Sequence, residues 1–431
     1  MAASRLRRTL TSLSLWVLVA LLAGLFAGAA AQAWGLPGGV GTADLIGSIG
    51  TLWLNALKMT IIPLVFSLLV TGVASIADAA ATGRLALKAL MVFAVLLLGA
   101  TIYAIFASET LHLLWPIDPA GGQVLLAGAP DASVVRESAG GAGLPGFLAG
   151  LAPANPIRAA AEDAILGIVV FAIAFGFAVT RLGAARRVPL VEFFESISET
   201  MIVIVHWVLL AAPVGVFALS MGVGLNAGLG ALGMLGHYVA LVVLAQVGLI
   251  LLIYCVAVPW GRIGLARFAR GAIPAQVVAF STQSSLASLP AMVEQARTAM
   301  GVSTRTAGLV LPLAVAVFRI TSPVANLAVV IYVAHLHGIE LGPAAWIAGG
   351  VTALAVSVGS VGLPGQVSFF VSIAPICLAM GVPVQVLPLL LAVEVIPDIF
   401  RTIGNVTADL AAARIVEGRD ALADPEPGAG I

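Results

Sequence analysis

The segment VEVIPDIFRTIGNVTADLAAARIV, residues 393–416, gathers the groups of this chain best suited to hold a small charged molecule. Its polar residues Glu394, Asp398, Arg401, Thr402, Asn405 and Asp409 follow one another at steps of four, three, one, three and four. At about 100° per residue this spacing forms one stripe along a helix. The fork of Arg401 suits a carboxylate, Asp398 can accept from an ammonium, and Asn405 can satisfy either. A plainer reading is a structural ion pair of Asp398 with Arg401 at i,i+3. One such pair leaves Thr402, Asn405 and Asp409 on the same face without a task.

The elements that must position this stripe are membrane helices. Of 431 residues, 61% are hydrophobic and 9% charged, the mean hydropathy is +1.12, and 20 Lys and Arg balance 20 Asp and Glu. A soluble domain carries about 25% charged residues, so most of this surface faces lipid. With no net charge and only the lysines Lys58 and Lys88, no basic stripe is available for a phosphate backbone, which argues against nucleic acid as a partner. Apolar runs of about 20 residues point to helices rather than to the alternating strands of a barrel.

These runs lie near 13–33, 45–75, 88–113, 160–182, 194–224, 233–260, 304–336 and 382–413. Two more, 266–296 and 343–378, are interrupted mid-span, by STQSS at 281–285 with Pro290 after it and by SVGSVGLPG at 357–365. They read as re-entrant helical hairpins, since a bilayer tolerates irregular backbone only where protein or a water-filled cavity covers it. Each is followed by one continuous helix, the pattern of an inverted-repeat transporter with its site between the repeats. The fold expected is an all-α integral membrane protein with eight transmembrane helices plus two re-entrant helical hairpins. Serine hydroxyls and half-helix N-termini at the breaks suit an anionic group. Ionised groups near a bilayer centre cost roughly 2.5 to 3.5 kcal/mol each, so a charged stripe there implies a substrate pocket.

All but five of the 20 basic residues (Lys58, Arg136, Arg158, Arg319 and Arg401) fall in loops that are internal when the N-terminus, with Arg5, Arg7 and Arg8, is cytoplasmic. An even number of spans then places both termini in the cytoplasm, with DALADPEPGAGI as a short disordered tail. The first apolar run imitates a signal peptide, but long apolar segments follow it, and it reads as an uncleaved first helix. Cys255 and Cys377 read as buried small hydrophobes. His206 and His237 read as packing or hydrogen-bonding residues rather than a proton relay.

Nearly the whole chain resembles the dicarboxylate/amino acid:cation symporters, the family that includes the glutamate and aspartate transporters. The resemblance runs from LKMTIIPLVFSLLVTGVASIAD (57–78) through PANPIRAA (153–160) to the end. Its most specific motifs are SSLASLP (284–290), SVGSVGLPG and DIFRTIGNVTAD (398–409). It implies a homotrimer and an elevator mechanism, in which a mobile transport domain carries substrate across the bilayer against a fixed scaffold. Residues 1–265 would hold the scaffold plus the third and sixth helices of the transport domain. Residues 266–417 would be the hairpin-helix-hairpin-helix transport core, and 418–431 a cytoplasmic tail. Asp398 then resembles the receiver of the substrate amino group and Arg401 the clamp on its distal carboxylate. Thr402, Asn405 and Ser322 would complete the substrate site, and Ser284, Ser285, Val358, Gly359 and Gly362 would close it from the hairpin tips. Asp409 would be the carboxylate of a sodium site. No cofactor is implied.

The chain departs from the family at its seventh helix. Where relatives carry Asn-Met-Asp-Gly-Thr, it reads Phe318, Arg319, Ile320, Thr321, Ser322. The aspartate that relatives use for sodium is Ile320 here, a nearby threonine is Ala316, and the third-helix stretch VLLLGATIY (95–103) supplies mainly aliphatics with Gly99 and Ala100. An apolar site cannot replace the six or so oxygens a hard cation takes. What remains for sodium is Asp409 with Asn405. Losing an anion and gaining Arg319 changes the local charge by two units, as a tethered cation would, pairing with Asp409 or Asp398. The competing reading has Arg319 neutralise Glu394. Glu394 or Asp398 is then the candidate carrier of a coupled proton.

The function expected is secondary symport of an acidic amino acid such as aspartate or glutamate, driven by H+ or Na+. A C4-dicarboxylate symporter is the alternative, followed by a non-concentrative sensor or an anion-conducting pore on the same fold. No enzyme is expected. The chain has no GxxxxGK[ST] loop, Gly222, Gly224 and Gly228 lie in what reads as a short outer loop without a βαβ unit, and nothing fixes Ser284 or Ser285 against His237 as a protease pair.

Overall fold

The computed structural model describes residues 13–33, 40–81, 83–118, 122, 126, 152–227, 230–359 and 365–418. Gly228, Gly362, Arg5, Arg7, Arg8, Arg136, Arg419 and the tail beyond Gly418 lie outside the described residues. Those described form seventeen helices and no strands. The first nine are α1 (Leu13–Ala33), α2 (Val40–Lys58), α3 (Ile61–Ala81), α4 (Arg84–Leu114), α5 (Pro156–Ala161), α6 (Ile165–Thr180), α7 (Ala184–Leu210), α8 (Ala212–Ala227) and α9 (Gly230–Gly261). After them come α10 (Leu265–Thr282), α11 (Ser285–Thr298), α12 (Thr304–Val317), α13 (Thr321–Leu336), α14 (Pro343–Gly359), α15 (Gly365–Met380), α16 (Leu387–Leu391) and α17 (Val395–Glu417).

Five helical stretches, Ile46–Ala81, Arg84–Leu114, Ala184–Leu210, Gly230–Gly261 and Thr304–Leu336, are long and apolar enough to cross a membrane. Shorter apolar helices lie among them, so the chain is an all-helical, multi-pass membrane protein.

Prolines punctuate the long apolar runs. A proline has no N–H to give the carbonyl four residues back, and its ring crowds that carbonyl. Pro63 accordingly coincides with a break at Met59 and Thr60, which divides the run read as one span at 45–75. Thr60 Oγ1 donates to the Leu57 carbonyl at 2.8 Å across that break. Pro213 accompanies the division of 194–224 at Ala211, and Pro323 that of 304–336 at residues 318–320. The last of these corrects the expectation of a continuous helix after the first hairpin. The final run is likewise divided, into α16 and α17.

The two interrupted segments are pairs of helices packed on each other, α10 with α11 and α14 with α15. At the first tip Gln283 takes a left-handed conformation with φ 52°, and Ser284 caps α11 by accepting from the Ala287 N–H at 3.2 Å.

Burial separates the centre from the lipid face. Every residue of α13 from Thr321 to Ala334 is buried, and so is α17 from Gly404 to Arg414. By contrast α4 turns Leu87, Met91, Val95, Leu98, Ile102 and Phe106 outward along one stripe. Cys255 is also exposed, on α9, which corrects its reading as a buried hydrophobe, whereas Cys377 is buried. A thiol is apolar enough to face lipid without cost.

Gly222 and Gly224 belong to α8 rather than to an outer loop. There α1 and α8 cross so closely that a Cβ on Gly224 would stand 2.3 Å from the Leu25 carbonyl oxygen, and one on Gly28 would stand 2.3 Å from that of Met221. Small residues of this kind let helix backbones meet in a membrane. Gly224→Val is therefore expected to destabilise the protein by about 1 to 3 kcal/mol, read as a lowered thermal-unfolding midpoint in detergent. Gly236→Ala, whose Cβ would enter open space, serves as the unchanged control; equal midpoints for the two variants would refute the close-crossing account.

Candidate functional site

The charged stripe sits where α17 starts, against α9, α10, α12 and α13. Its centre is a buried ion pair in which Arg401 Nη2 donates to Glu394 Oε1 at 2.6 Å, with the side chains only 7% and 2% exposed. The helix begins at Val395, and Asp398 N–H bonds the Glu394 carbonyl at 2.9 Å, so the pair spans the first two turns. Tyr238 on α9, fully buried, holds the other Glu394 oxygen at 3.5 Å.

Asp398 is a looser neighbour. Its Oδ1 stands 4.0 Å from Arg401 Nε, and that Nε has no hydrogen-bond partner although it is buried. The i,i+3 pair read from the sequence is thus present only as a long contact, and the close partner of Arg401 is Glu394 at i,i+7. A guanidinium satisfied on one edge and unsatisfied on another, beside a carboxylate that is 17% exposed, can take up a further anionic group.

Asn405 also has a structural task within the stripe. Its Oδ1 accepts from the Thr321 N–H at 3.1 Å and lies 2.8 Å from Thr321 Oγ1, which also lies 3.0 Å from the Arg401 carbonyl. Asn405 therefore caps the start of α13 and ties the break at 318–320 to α17. Thr402 Oγ1 turns back to the Asp398 carbonyl at 3.0 Å. Ser322 is buried and accepts from Asn326 Nδ2 at 3.2 Å. Ser284 and Ser285 form the start of α11, while Val358 and Gly359 end α14. Among the described residues no hydrogen bond joins Ser284, Ser285, Ser322 or Val358 to the Glu394, Asp398 and Arg401 cluster.

Asp409 lies two turns beyond Arg401, 1% exposed, and neither carboxylate oxygen has a hydrogen-bond partner among the described residues. Arg319, in the break between α12 and α13, lies within electrostatic reach of Asp398, Asp409 and Arg401. It makes no ion pair within 4.0 Å among the described residues. Glu394, the alternative partner for Arg319, is engaged by Arg401 instead.

Ile320 lines an apolar cavity of about 210 Å³ together with Val95, Gly99, Ala100, Leu249 and Ala408. The two hydroxyls of that stretch of α4 are already in use, Thr101 donating to the Leu97 carbonyl and Tyr103 to that of Ala245, each at 2.9 Å. Among the described residues no group of three His, Cys, Asp or Glu side chains is placed to hold a metal ion.

Two residues of the site escaped the sequence reading. Tyr238 lies within an aliphatic run and Thr321 two positions before a proline; neither belongs to a periodic pattern, and each is drawn in by tertiary packing. Gln276 is a third polar group of this kind, bridging Tyr254 Oη at 3.0 Å and Thr407 Oγ1 at 2.8 Å. His237 fits its reading as a hydrogen-bonding residue, with Tyr332 Oη 3.3 Å from Nδ1 and the Trp115 carbonyl 3.2 Å from Nε2.

Comparison with known proteins places this geometry in context. The chain is 30% identical over 381 residues to the proton/glutamate-aspartate symporter of Escherichia coli (strain K12), covering 86% of this chain and 85% of that protein. It is 28% identical to the proton/sodium-glutamate symport protein of Bacillus subtilis (strain 168), covering 88% and 86%. It is also 31% identical to human neutral amino acid transporter A, covering 85% and 74%. These relatives are transporters, not enzymes. The model of the sodium:dicarboxylate symporter family matches residues 13–419, so this all-helical chain, with its charged stripe buried against a broken helix, belongs to that family.

Proposed function

We propose that the chain is a symporter that carries an acidic amino acid, aspartate or glutamate, across the cytoplasmic membrane. The observation that carries this reading is the buried guanidinium of Arg401, held at Nη2 by Glu394 and unpartnered at Nε beside Asp398. Arg401 takes the distal carboxylate of the substrate and Asp398 its ammonium. Thr402, Asn405 and Ser322 support the pocket, and Ser284, Ser285, Val358, Gly359 and Gly362 close it from the two tips. The names of the bacterial relatives agree with an acidic substrate. A neutral side chain, as the human relative's name implies for that protein, would leave Arg401 Nε unpaired.

Charge then bears on coupling. The three carboxylates Glu394, Asp398 and Asp409 outnumber the guanidiniums Arg319 and Arg401 by one. An acidic amino acid adds a further negative charge, so a cation must travel with it in a low-dielectric site. The aliphatic wall at Ile320 argues against a sodium ion there. Arg319 takes the part of a tethered cation facing Asp409 and Asp398, and the mobile cation is a proton carried by Glu394. Protonated Glu394 no longer competes for Arg401 and frees its fork for the substrate carboxylate.

On the same reading the chain forms homotrimers of eight spans and two re-entrant hairpins with both termini cytoplasmic. Residues 266–417, with the third and sixth spans, move as an elevator against the remainder of 1–265. C4-dicarboxylates are the second reading, favoured by the reach of Arg319 to Asp398: a neutralised Asp398 has less call for an ammonium and less repulsion for a second carboxylate.

Purified protein in liposomes tests these assignments. Labelled aspartate is expected to accumulate under an inward proton gradient with sodium absent, and succinate to accumulate less. Uptake that collapses without sodium and ignores pH would sink the tethered-cation account. Accumulation of succinate alone would select the dicarboxylate reading, and current without accumulation would identify a pore. Arg401→Gln is expected to weaken aspartate binding by about a hundredfold. Glu394→Gln is expected to retain aspartate exchange while losing acceleration by a proton gradient; unchanged proton drive would remove Glu394 from the coupling role. Arg319→Met, which strips Asp409 of its facing charge, is expected to abolish sodium-independent uptake, and wild-type rates in that variant would overturn its role.

A further inference from the structure

A groove of about 1340 Å³ lies at the end of the bundle where α4 and α12 begin and α11 and α17 end. It is walled by Arg84, Lys88, Arg297 and Arg305 against Glu294 and Glu417. The four cations exceed the two acids by two charges. Glu417 is buried and accepts from Ser303 Oγ at 3.0 Å. Lys88 spends one of its three donors on the Val416 carbonyl at 2.5 Å. Arg84, Arg297 and Arg305 are exposed, and none makes an ion pair within 4.0 Å among the described residues.

The backbone adds to the positive field. α4 opens on Gly83, with φ 137° and no side-chain cap, so the first-turn N–H groups of this 31-residue helix are left for an outside acceptor. Arg84, its first residue, lines the groove. Helix N-termini and arginine forks share one preferred ligand chemistry, the oxyanions of a phosphate.

The other half of the wall is apolar. Leu87 and Met91 line the groove and are 46% and 55% exposed. From there the stripe continues along α4 through Val95 and Leu98, each 53% exposed, into the part of the helix that faces lipid. A free anion has no use for this stripe, whereas a molecule with a charged head and hydrocarbon tails needs both halves in this order. Basic pockets between membrane helices on the side rich in arginine are suited to such headgroups.

We propose that the groove binds an anionic phospholipid, its phosphate held by Arg84, Arg297 and Arg305 and its acyl chains lying along Leu87, Met91, Val95 and Leu98. The lipid bridges the start of α4 to the end of α11 and the start of α12, and so ties the first helical pair to α4. This site is separate from the Glu394, Asp398 and Arg401 cluster and does not depend on the substrate assignment.

Native mass spectrometry and thermal-shift titration of the full chain in detergent test it, with phosphatidylglycerol, phosphatidylcholine and inorganic phosphate as probes. Wild type is expected to retain phosphatidylglycerol and to gain stability from it at lower concentration than from phosphatidylcholine, with phosphate alone giving little. Arg84→Gln/Arg305→Gln is expected to weaken phosphatidylglycerol binding by about thirtyfold. Arg84→Lys/Arg305→Lys is expected to restore most of it. Arg158→Gln/Arg181→Gln, an equal loss of charge at two exposed positions outside the groove, leaves it unchanged. Equal responses to the two lipids, a glutamine pair that binds as wild type, or full stabilisation by phosphate alone would each overturn the lipid site.

Discussion

The 2.6 Å contact between Arg401 and Glu394 sets what the polar groups around it must supply. Both groups are buried, and moving each ion out of water costs several kcal/mol, which mutual attraction alone only roughly repays. The remaining polar atoms must therefore find partners or lie where a ligand can supply them. Tyr238 from α9 takes the second oxygen of Glu394. Arg401 Nε stays unpaired, with Asp398 4.0 Å away and partly open. A purely structural pair would gain by closing this last contact. The packing leaves it unmade, and on the proposed reading an anion with an attached ammonium supplies what these two groups lack.

A second constraint arises at the other side of α17. Backbone cannot break inside an apolar bundle unless the freed groups are satisfied. Between α12 and α13, Thr321 N–H meets Asn405 Oδ1, and the Thr321 hydroxyl reaches both Asn405 and the Arg401 carbonyl. The carbonyl of the arginine in the ion pair thus also supports the break. Displacing α17 along its axis would disturb the charged cluster and the broken helix together. Arg319 and Ile320 are placed by the same break, one reaching toward Asp398 and Asp409 and the other lining the aliphatic cavity beside α4.

The parts of this arrangement that obey a period were legible in the chain itself. Glu394, Asp398, Arg401, Asn405 and Asp409 repeat at helical spacing, and the apolar runs locate nearly every long helix. The chain divisions at Met59, Ala211 and residues 318–320 do not show in hydropathy averaged over a span, although Pro63, Pro213 and Pro323 mark each one. Partner choice was not legible. Sequence distance favoured Asp398 for Arg401, yet two helical turns bring Glu394 closer. Nothing local to Asn405 shows that its oxygen meets Thr321, 84 positions away. Such pairings are fixed by how helices cross, and no local pattern encodes that.

Arg319 and Ile320 belong together physically. An aspartate in place of Ile320 would meet Val95, Gly99, Ala100 and Leu249, with the Thr101 and Tyr103 hydroxyls nearby already bonded to carbonyls. A buried carboxylate there would lack both a cation and donors, a cost of several kcal/mol. With isoleucine in its place the wall is satisfied by packing alone, but Asp409 then loses the positive charge that an ion nearby would have provided. On the proposed reading, a guanidinium carried on the adjacent residue supplies that charge without needing an oxygen cage, because Arg319 brings its own donors. An ion that diffuses away can carry free energy across the membrane; one fixed to the backbone can only balance charge. If Arg319 has taken over the balancing task, the driving cation must bind elsewhere, and the carboxylate whose protonation would directly change what Arg401 can bind is Glu394.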